Sequence, residues 1–294
     1  MRHRSNTISV RQRARVTQRE RAMTTTGMKL SSLWRLRARA MGGNARARAR
    51  PGRALARARA NDDSRASTRE DARDDAVRIA LGTSWVSLGA IAMTIAPQGT
   101  SASDVELVLE LVRAPFSPGE SNAIFEAVFN ALGVIPATYA SVLMPGARGQ
   151  RVPAAPFIGA SFALGFFALG PYLIARERRN ETTRKSDCGF VTRNIWESKV
   201  NAFALVAFAT WLLYYGASNA SAEVVREFGT LVRERSMLAC VSTCDFVVLS
   251  LAMADAIGED MRRRDVDPAN ALAFASLPVL GPALWLLARP ELED

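Results

Sequence analysis

Residues 123–176 read AIFEAVFNALGVIPATYASVLMPGARGQRVPAAPFIGASFALGFFALGPYLIAR, and this stretch decides the fold. Two long apolar runs lie on either side of a short polar turn, MPGARGQRVP. The second run, Ala154–Ala175, has 22 residues and no charge. As an α-helix it would reach across about 30 Å of hydrocarbon, the thickness of a bilayer core. We therefore expect a hairpin of two membrane-spanning helices, with other apolar helices packed around it.

The remaining apolar runs predict further helices of the same kind. The sequence thus predicts an all-α, polytopic membrane domain over residues 79–292, with five or six transmembrane helices. Prolines such as Pro136 and Pro171 lie inside the runs, where a proline removes a backbone hydrogen bond and kinks a helix. We expect the spans near residues 79–97, 123–144, 154–175, 200–222, 237–257 and 270–288.

The first run, Ile79–Pro97, allows two interpretations. It has 19 uncharged residues and is followed by a patch of small residues, Gly99–Ala102. It is either a retained span or the apolar core of a second, lumen-directing signal that is cut at the patch. The run is longer than an ordinary signal core, which favours the span and a count of six.

The N-terminus carries the excess positive charge of the chain. Residues 1–60 contain sixteen Arg, one Lys and a single acid, Glu20, whereas the whole chain has a net charge of +10. This Arg-rich, Ser-rich and acid-poor composition is typical of a cleaved, disordered transit peptide. The alternative is a retained basic tail that binds anionic lipid or RNA. Residues 61–78 are then a charged linker. Because the positive charge lies outside the membrane domain, we expect that domain to have no nucleic-acid partner.

The loops between the predicted spans leave the orientation open. With six alternating spans, eleven basic residues fall on one side of the membrane and ten on the other. A difference of one does not decide the orientation by the positive-inside rule. The densest cluster, seven basic residues in 176–199, favours the stromal or cytosol-like side for that loop.

Motifs for catalysis or metal binding are weak. The chain has three cysteines, of which Cys240 and Cys244 share a helical face. They are either small apolar packing residues or a two-cysteine metal or redox site, and the packing role is favoured because the single histidine, His3, lies in the targeting segment. Without a histidine in the mature chain, His-based acid–base catalysis is excluded. We expect a protein that is not an enzyme, with no cofactor and no metal.

Three acids lie in or beside the apolar runs, namely Glu126, Asp245 and Asp255. A carboxylate at mid-bilayer costs about 2.5–3.5 kcal/mol, so such a residue requires a reason. One interpretation is an ion or proton relay centred on Asp245. The other is structural, with each acid paired to a loop arginine or hydrogen-bonded between helices.

Two groups of arginines are candidates for contact with a lipid headgroup or a partner protein. One group is the turn of the first hairpin, with Arg148 and Arg151, and the other is the triplet Arg262, Arg263 and Arg264. The simpler interpretation is that both are topology signals, as short basic loops commonly are.

Four segments carry a family resemblance. The stretches FEAVFNALGVIPATY (125–139) and QRVPAAPFIGASFALGFFALGPY (150–172), with the later CDF (244–246) and LPVLGP (277–282), resemble uncharacterised integral membrane proteins of cyanobacteria and of plant and algal plastids. The resemblance covers roughly residues 100–292 and implies a chloroplast membrane, either thylakoid or inner envelope, without implying an activity.

These observations predict a non-enzymatic integral membrane protein with a structural, assembly or interaction role. Its expected partners are membrane lipids and other plastid membrane proteins. The alternative is a transporter of a small solute or ion that uses the intramembrane acids.

Overall fold

The computed structural model describes residues 51–98, 101–117, 119, 121–179 and 182–293. The chain divides into two units, Met1–Arg65 and Ala66–Asp294, and the helical bundle belongs to the second. Most of the predicted transit peptide lies outside the described residues, and the predicted linker, 61–78, is part of a helix.

Over the described ranges the protein is all-helical, as the sequence predicts. Short π-helical or 3₁₀ turns lengthen or connect several of the helices. The α-helices are α1 Pro51–Ala90, α2 Ser101–Arg113, α3 Ala123–Leu143, α4 Ala154–Leu164, α5 Phe166–Ala175, α6 Lys199–Ser218, α7 Ala222–Thr230, α8 Met237–Arg263, α9 Ala271–Ala275 and α10 Leu280–Ala288.

Four helices in the described residues are long and apolar enough to cross a membrane. They are Thr68–Ile95, Ala123–Gly146, Lys199–Ser218 and Met237–Arg263. The second of these, which contains α3, is 56% buried, against 17–33% for the other three, so α3 is the central helix. The chain is therefore a membrane protein by the length and composition of its helices, with four candidate spans where the sequence predicts five or six.

The predicted third span, 154–175, is a helical hairpin. Gly165 has a φ of +54° and separates α4 from α5. The rings of Phe157 and Tyr172 stack with centroids 5.9 Å apart, whereas a continuous helix would hold these positions about 22 Å apart. The two ends of the hairpin also meet, because the Gln150 amide donates to Glu177 O (2.7 Å) and accepts from Glu177 N (2.9 Å). The hairpin therefore returns to the end from which it starts, and the prediction of a single span here is wrong.

The predicted sixth span, 270–288, is a second and shorter hairpin of α9 and α10. Val279 has a φ of +64° at the turn. Phe274 and Trp285 are in ring contact at 5.6 Å, although eleven positions of continuous helix would separate them by about 16 Å. This segment therefore folds back as well. We call α4–α5 and α9–α10 hairpin 1 and hairpin 2.

Serine and asparagine side chains cap the N-termini of three of the long helices. Asn122 accepts from Ile124 N and Phe125 N at the start of α3, and Ser198 and Ser236 do the same for α6 and α8. Each side chain satisfies a backbone N–H that has no partner within its own helix.

The helices give the bundle two different ends. Helices α3, α5, α8 and α10 end at one end of the bundle, where α6 begins. Helix α1 passes this end near Asp74, whose carboxylate lies 3.8 Å from Arg178. Of the twenty basic residues after Arg65, sixteen lie at or near this end, which we call the basic end. At the opposite end, Ser236 on the α8 side donates to Asp104 of α2 (2.6 Å). Six alternating spans would divide the basic residues almost evenly between the two sides. Because each hairpin returns to the end from which it starts, most of the basic residues instead lie at one end of the bundle.

Candidate functional site

A cluster of buried charges occupies the basic end of the bundle. It joins the C-terminal ends of α5, α8 and α10 to the start of α6. The side chains of its members are at most 8% exposed, apart from that of Asp255 at 13%. We call it the ion-pair cluster, and it consists of Arg176, Glu197, Asp255, Glu259, Asp260, Arg263, Arg264 and Arg289.

The cluster attaches hairpin 1 to α8. Arg176 directly follows α5 and donates to Glu259 and, at 3.0 Å, to Asp255. Arg178 donates from Nε to both oxygens of Asp255 at 3.1 and 3.2 Å. Asp255 and Glu259 are four apart on α8, so they present one face to the hairpin.

Hairpin 2 is attached to the same helix through Asp260. Arg289, just after α10, approaches Asp260 at 3.2 Å and Glu197 at 2.9 Å. The Trp285 indole donates to Asp260 at 2.9 Å. Arg264 lies between the two acids, at 3.1 Å from Asp260 and 2.7 Å from Glu197. Both hairpins are therefore fixed to residues 255–260 near the C-terminal end of α8.

Arginines of the cluster also satisfy backbone carbonyls at the end of α3. Arg263 donates to Val142 O at 2.5 Å, and Arg289 donates to Ser141 O at 2.9 Å. The last carbonyls of a helix have no partner inside it and carry the negative end of the helix dipole. The cluster therefore also caps the C-terminal end of α3.

Acidic partners offset the effect of burial on two arginines of the cluster. Burial by itself lowers the pKa of the Arg264 guanidinium, but Asp260 and Glu197 raise that pKa above its ordinary value. For Arg176, too, burial lowers the pKa, and Glu259 and Asp255 raise it above its ordinary value. Such a cluster is stable only while its partners stay together, because an uncompensated buried charge is strongly unfavourable.

Asp245 lies at the tip of hairpin 1. Its Oδ1 accepts from Phe166 N at 2.7 Å, which caps the start of α5. A Cβ on Gly165 would lie 1.7 Å from Asp245 Oδ2, so only glycine fits this turn. Asp245 also lines a cleft of about 440 Å³, together with Asn130, Ser161 and Ser242.

Glu126 is fully buried near the opposite end of the bundle. It accepts from Phe116 N (2.5 Å), Ser121 Oγ (3.2 Å) and Tyr215 Oη (2.6 Å). It therefore ties the loop before α3 to α6. The three acids singled out in the sequence thus lie in three separate environments, and Asp245 and Asp255 are about 15 Å apart along α8.

The candidate contact arginines divide into exposed and buried residues. Arg148 and Arg151 lie in exposed ion pairs with Asp187 (3.5 Å) and Glu177 (3.2 Å). Arg263 and Arg264 are instead 2% and 9% exposed, inside the cluster, so they present almost no surface to a lipid or partner. Arg262 is not a member of the cluster. Its Nη1 lies beside Gly258, 3.7 Å from where a Cβ added to that glycine would be.

The cysteines remain free thiols, with Cys240 buried and Cys244 half-buried. Within the described part of the chain, no three His, Cys, Asp or Glu side chains come together as a metal site. The fold and the cluster together define an all-helical membrane protein in which two helical hairpins are anchored by buried ion pairs. No protein-family model, curated protein or solved structure matches this chain.

Proposed function

We propose that this protein is a non-enzymatic integral membrane protein of a plastid membrane with a structural or assembly role. One observation carries the proposal: the buried charges are engaged in bonds that fix hairpins, helix ends and loops. A relay needs acids that can exchange a proton or an ion with one another, and these acids are separated and hydrogen-bonded. The buried polar bonds of the described residues hold the helices and hairpins in fixed positions, which supports a structural role.

The outer surface of α6 is available for contact with other proteins. Val200, Phe203 and Tyr214 are 78%, 64% and 65% exposed on this helix. Lipid chains and partner helices both suit such a surface. The choice between them is open to a direct test.

A photoreactive phenylalanine analogue at Phe203 tests the assembly role in native membranes. We expect a crosslinked product of discrete protein mass. The matched control is the same analogue at Phe125, which is fully buried and should give no such product. If Phe203 yields lipid adducts alone, the assembly role is wrong.

The plastid location is supported by the composition of residues 1–60 and by the family resemblance. A fusion of residues 1–60 to a reporter should enter plastids, whereas a cytosolic reporter would contradict the location. The positive-inside rule then assigns the basic end to the stroma, since sixteen of the twenty basic residues after Arg65 flank it.

A second candidate function, transport of a small ion, is favoured by the cleft beside Asp245. A carboxylate, an amide and two hydroxyls surround about 440 Å³ of space. In proteoliposomes, this function requires a flux of protons, Na⁺ or K⁺ above that of empty vesicles, and its loss in Asp245→Asn. Equal fluxes in wild type and empty vesicles would reject it.

A further inference from the structure

The cleft beside Asp245 extends from the tip of hairpin 1 towards the opposite end of the bundle. Its lining residues on α8 are Leu238, Val241, Ser242 and Asp245, which have the i, i+3, i+4 and i+7 spacing of one helix face. Leu238 lies at the start of α8, and Asp245 is seven positions further, about 10 Å along the helix axis. The cleft therefore leads from the end of the bundle opposite the basic end to a buried carboxylate.

Asp245 has no basic partner in the described part of the bundle. The cleft is lined by segments 123–144, 154–175 and 237–257, which contain no Lys, Arg or His. Oδ1 accepts from Phe166 N, whereas Oδ2 takes part in no hydrogen bond or ion pair with the described residues. The N-terminus of α5 offsets about half an elementary charge, and the rest of the carboxylate charge is uncompensated. A cation is the partner that this carboxylate lacks.

The other polar groups of the cleft present acceptor oxygens. The Ser161 hydroxyl donates to Ile158 O at 2.7 Å, so towards a ligand it can only accept. The Asn130 amide nitrogen donates to Glu126 O at 2.9 Å, which leaves its Oδ1 as an acceptor. Ser242 is 7% exposed, and its hydroxyl has no partner among the described residues. A ligand with several N–H donors would satisfy these oxygens, whereas an anion would not.

The walls of the cleft indicate that the ligand has a hydrocarbon body. Three phenylalanines, Phe129, Phe162 and Phe167, lie among its mainly apolar lining residues. The volume of about 440 Å³ is far larger than a bare metal ion and lies in the range of pockets for small organic molecules. Aromatic rings also attract an organic cation through their π faces.

The charge at the opposite end of the bundle favours entry of a cation. Residues 101–117 and 219–236, which lie at that end, contain six acids and four bases. The basic end, by contrast, has sixteen of the twenty basic residues after Arg65. The field of the protein therefore draws cations towards the end from which the cleft leads inwards.

We propose that this cleft binds a primary ammonium compound with a hydrocarbon body. The ammonium group lies at Asp245 Oδ2 and the Ser242 hydroxyl, and the hydrocarbon packs against the phenylalanines. The site is that of the second candidate function, but binding requires no transport and is independent of the assembly role. Binding in detergent and flux in vesicles are separate measurements, so either inference can fail alone.

The test is isothermal titration calorimetry of the purified full-length protein in detergent, with the heat of partition into empty micelles subtracted. The two probes are 2-phenylethylamine, which is charged at pH 7, and 2-phenylethanol, its neutral analogue. We expect the amine to bind at least about tenfold more tightly, because its hydrogen bonds involve a charged group. Asp245→Asn keeps an acceptor for Phe166 N but removes the charge, so it should abolish the preference at an unchanged melting temperature.

A second pair of variants tests the neighbouring hydroxyl. Ser242→Ala should weaken binding of the amine by about two- to tenfold. The matched control is Thr243→Val, which should leave binding unchanged, because the Thr243 hydroxyl already donates to Ala239 O at 2.7 Å and lies outside the cleft lining.

Three results would overturn the proposal. The first is that the amine does not bind, or binds no better than the alcohol. The second is that Asp245→Asn retains the preference for the amine. The third is that millimolar Na⁺ or K⁺ displaces the amine, since the cleft would then be the small-ion site that the second candidate function requires.

Discussion

The carboxylate of Asp245 on α8 accepts a hydrogen bond from the backbone N–H of Phe166, 79 positions earlier in the chain, at 2.7 Å. This bond joins the middle of a candidate span to the tip of a hairpin that does not cross the bundle. It gives the buried acid a structural reason to be there, since the N-terminus of a helix attracts negative charge.

Replacing Asp245 should show that this bond is a helix cap. Asp245→Asn keeps an acceptor oxygen and should leave the melting temperature in detergent close to wild type. Asp245→Ala leaves the Phe166 N–H buried without an acceptor and should destabilise the protein by about 1–3 kcal/mol. Equal melting temperatures for Asn and Ala would contradict the capping role.

The turn at Gly165 should not tolerate a side chain. In Gly165→Ala the new Cβ would meet Asp245, and the backbone would hold a non-glycine residue at φ +54°. We expect a loss of at least about 1–3 kcal/mol, seen as a lower melting temperature or poor expression. The matched control is Gly159→Ala in α4, where nothing lies within 4 Å of the added Cβ. A helix-interior glycine replaced by alanine should be neutral or stabilising by up to about 1 kcal/mol.

The ion-pair cluster should fail when its central acid is removed. Asp260→Ala removes one of the two carboxylates, Asp260 and Glu197, that the buried Arg264 and Arg289 share, and we expect a loss of about 3–5 kcal/mol. Asp187→Ala breaks an exposed pair with Arg148 and should change stability by no more than about 1 kcal/mol. Thermal unfolding in detergent, followed by circular dichroism, measures both. If the two variants lowered stability by similar amounts, burial would not be the reason that the ion pairs of the cluster contribute to stability.

The two hairpins make a prediction about topology. Arg151→Cys and the native Cys188 should react with an impermeant maleimide from the same side of the membrane, in a background with Cys240 and Cys244 replaced by serine. Glu223→Cys, between α6 and α8, should react from the other side. A fully spanning segment at 154–175 would instead place Arg151→Cys and Cys188 on opposite sides, so labelling from opposite sides would contradict hairpin 1.

The pH of this labelling experiment matters for Cys188. Burial, followed by the nearby Glu197 carboxylate, raises the pKa of the Cys188 thiol above its ordinary value. Because the thiolate is the reactive form, Cys188 should label more slowly than an exposed cysteine at pH 7 and gain on it as the pH rises. A Cys188 rate that equals that of Arg151→Cys at every pH would contradict the shift.

Parts of the fold could be predicted from local patterns. The four candidate spans overlap apolar runs that the sequence marks, and Asn122, Ser198 and Ser236 precede their helices as good N-caps do. Gly165 lies near the middle of the run 154–175 and is the local signal for a break. A glycine alone cannot decide it, because glycines such as Gly159 lie inside the helices of the same hairpin.

The ion-pair cluster is harder to predict from the sequence than the helices are. The position of Arg263 and Arg264 after an apolar run favours surface residues, because topology signals usually lie there. Their burial depends on Asp260 and Glu197, and on hairpin 2 folding back so that Arg289 joins them. Trp285 joins the same group through a bond to Asp260 that no spacing rule predicts.

The sequence by itself determined that this chain is helical and apolar enough to lie in a membrane, because run length and the absence of charge are local properties. Only the tertiary structure decided which runs cross the bundle and which turn back. That choice rests on bonds between residues far apart in the chain, such as Asp245 with Phe166 and Arg176 with Glu259. A break in a buried helix is stable only where another helix supplies the partner for the backbone group it frees.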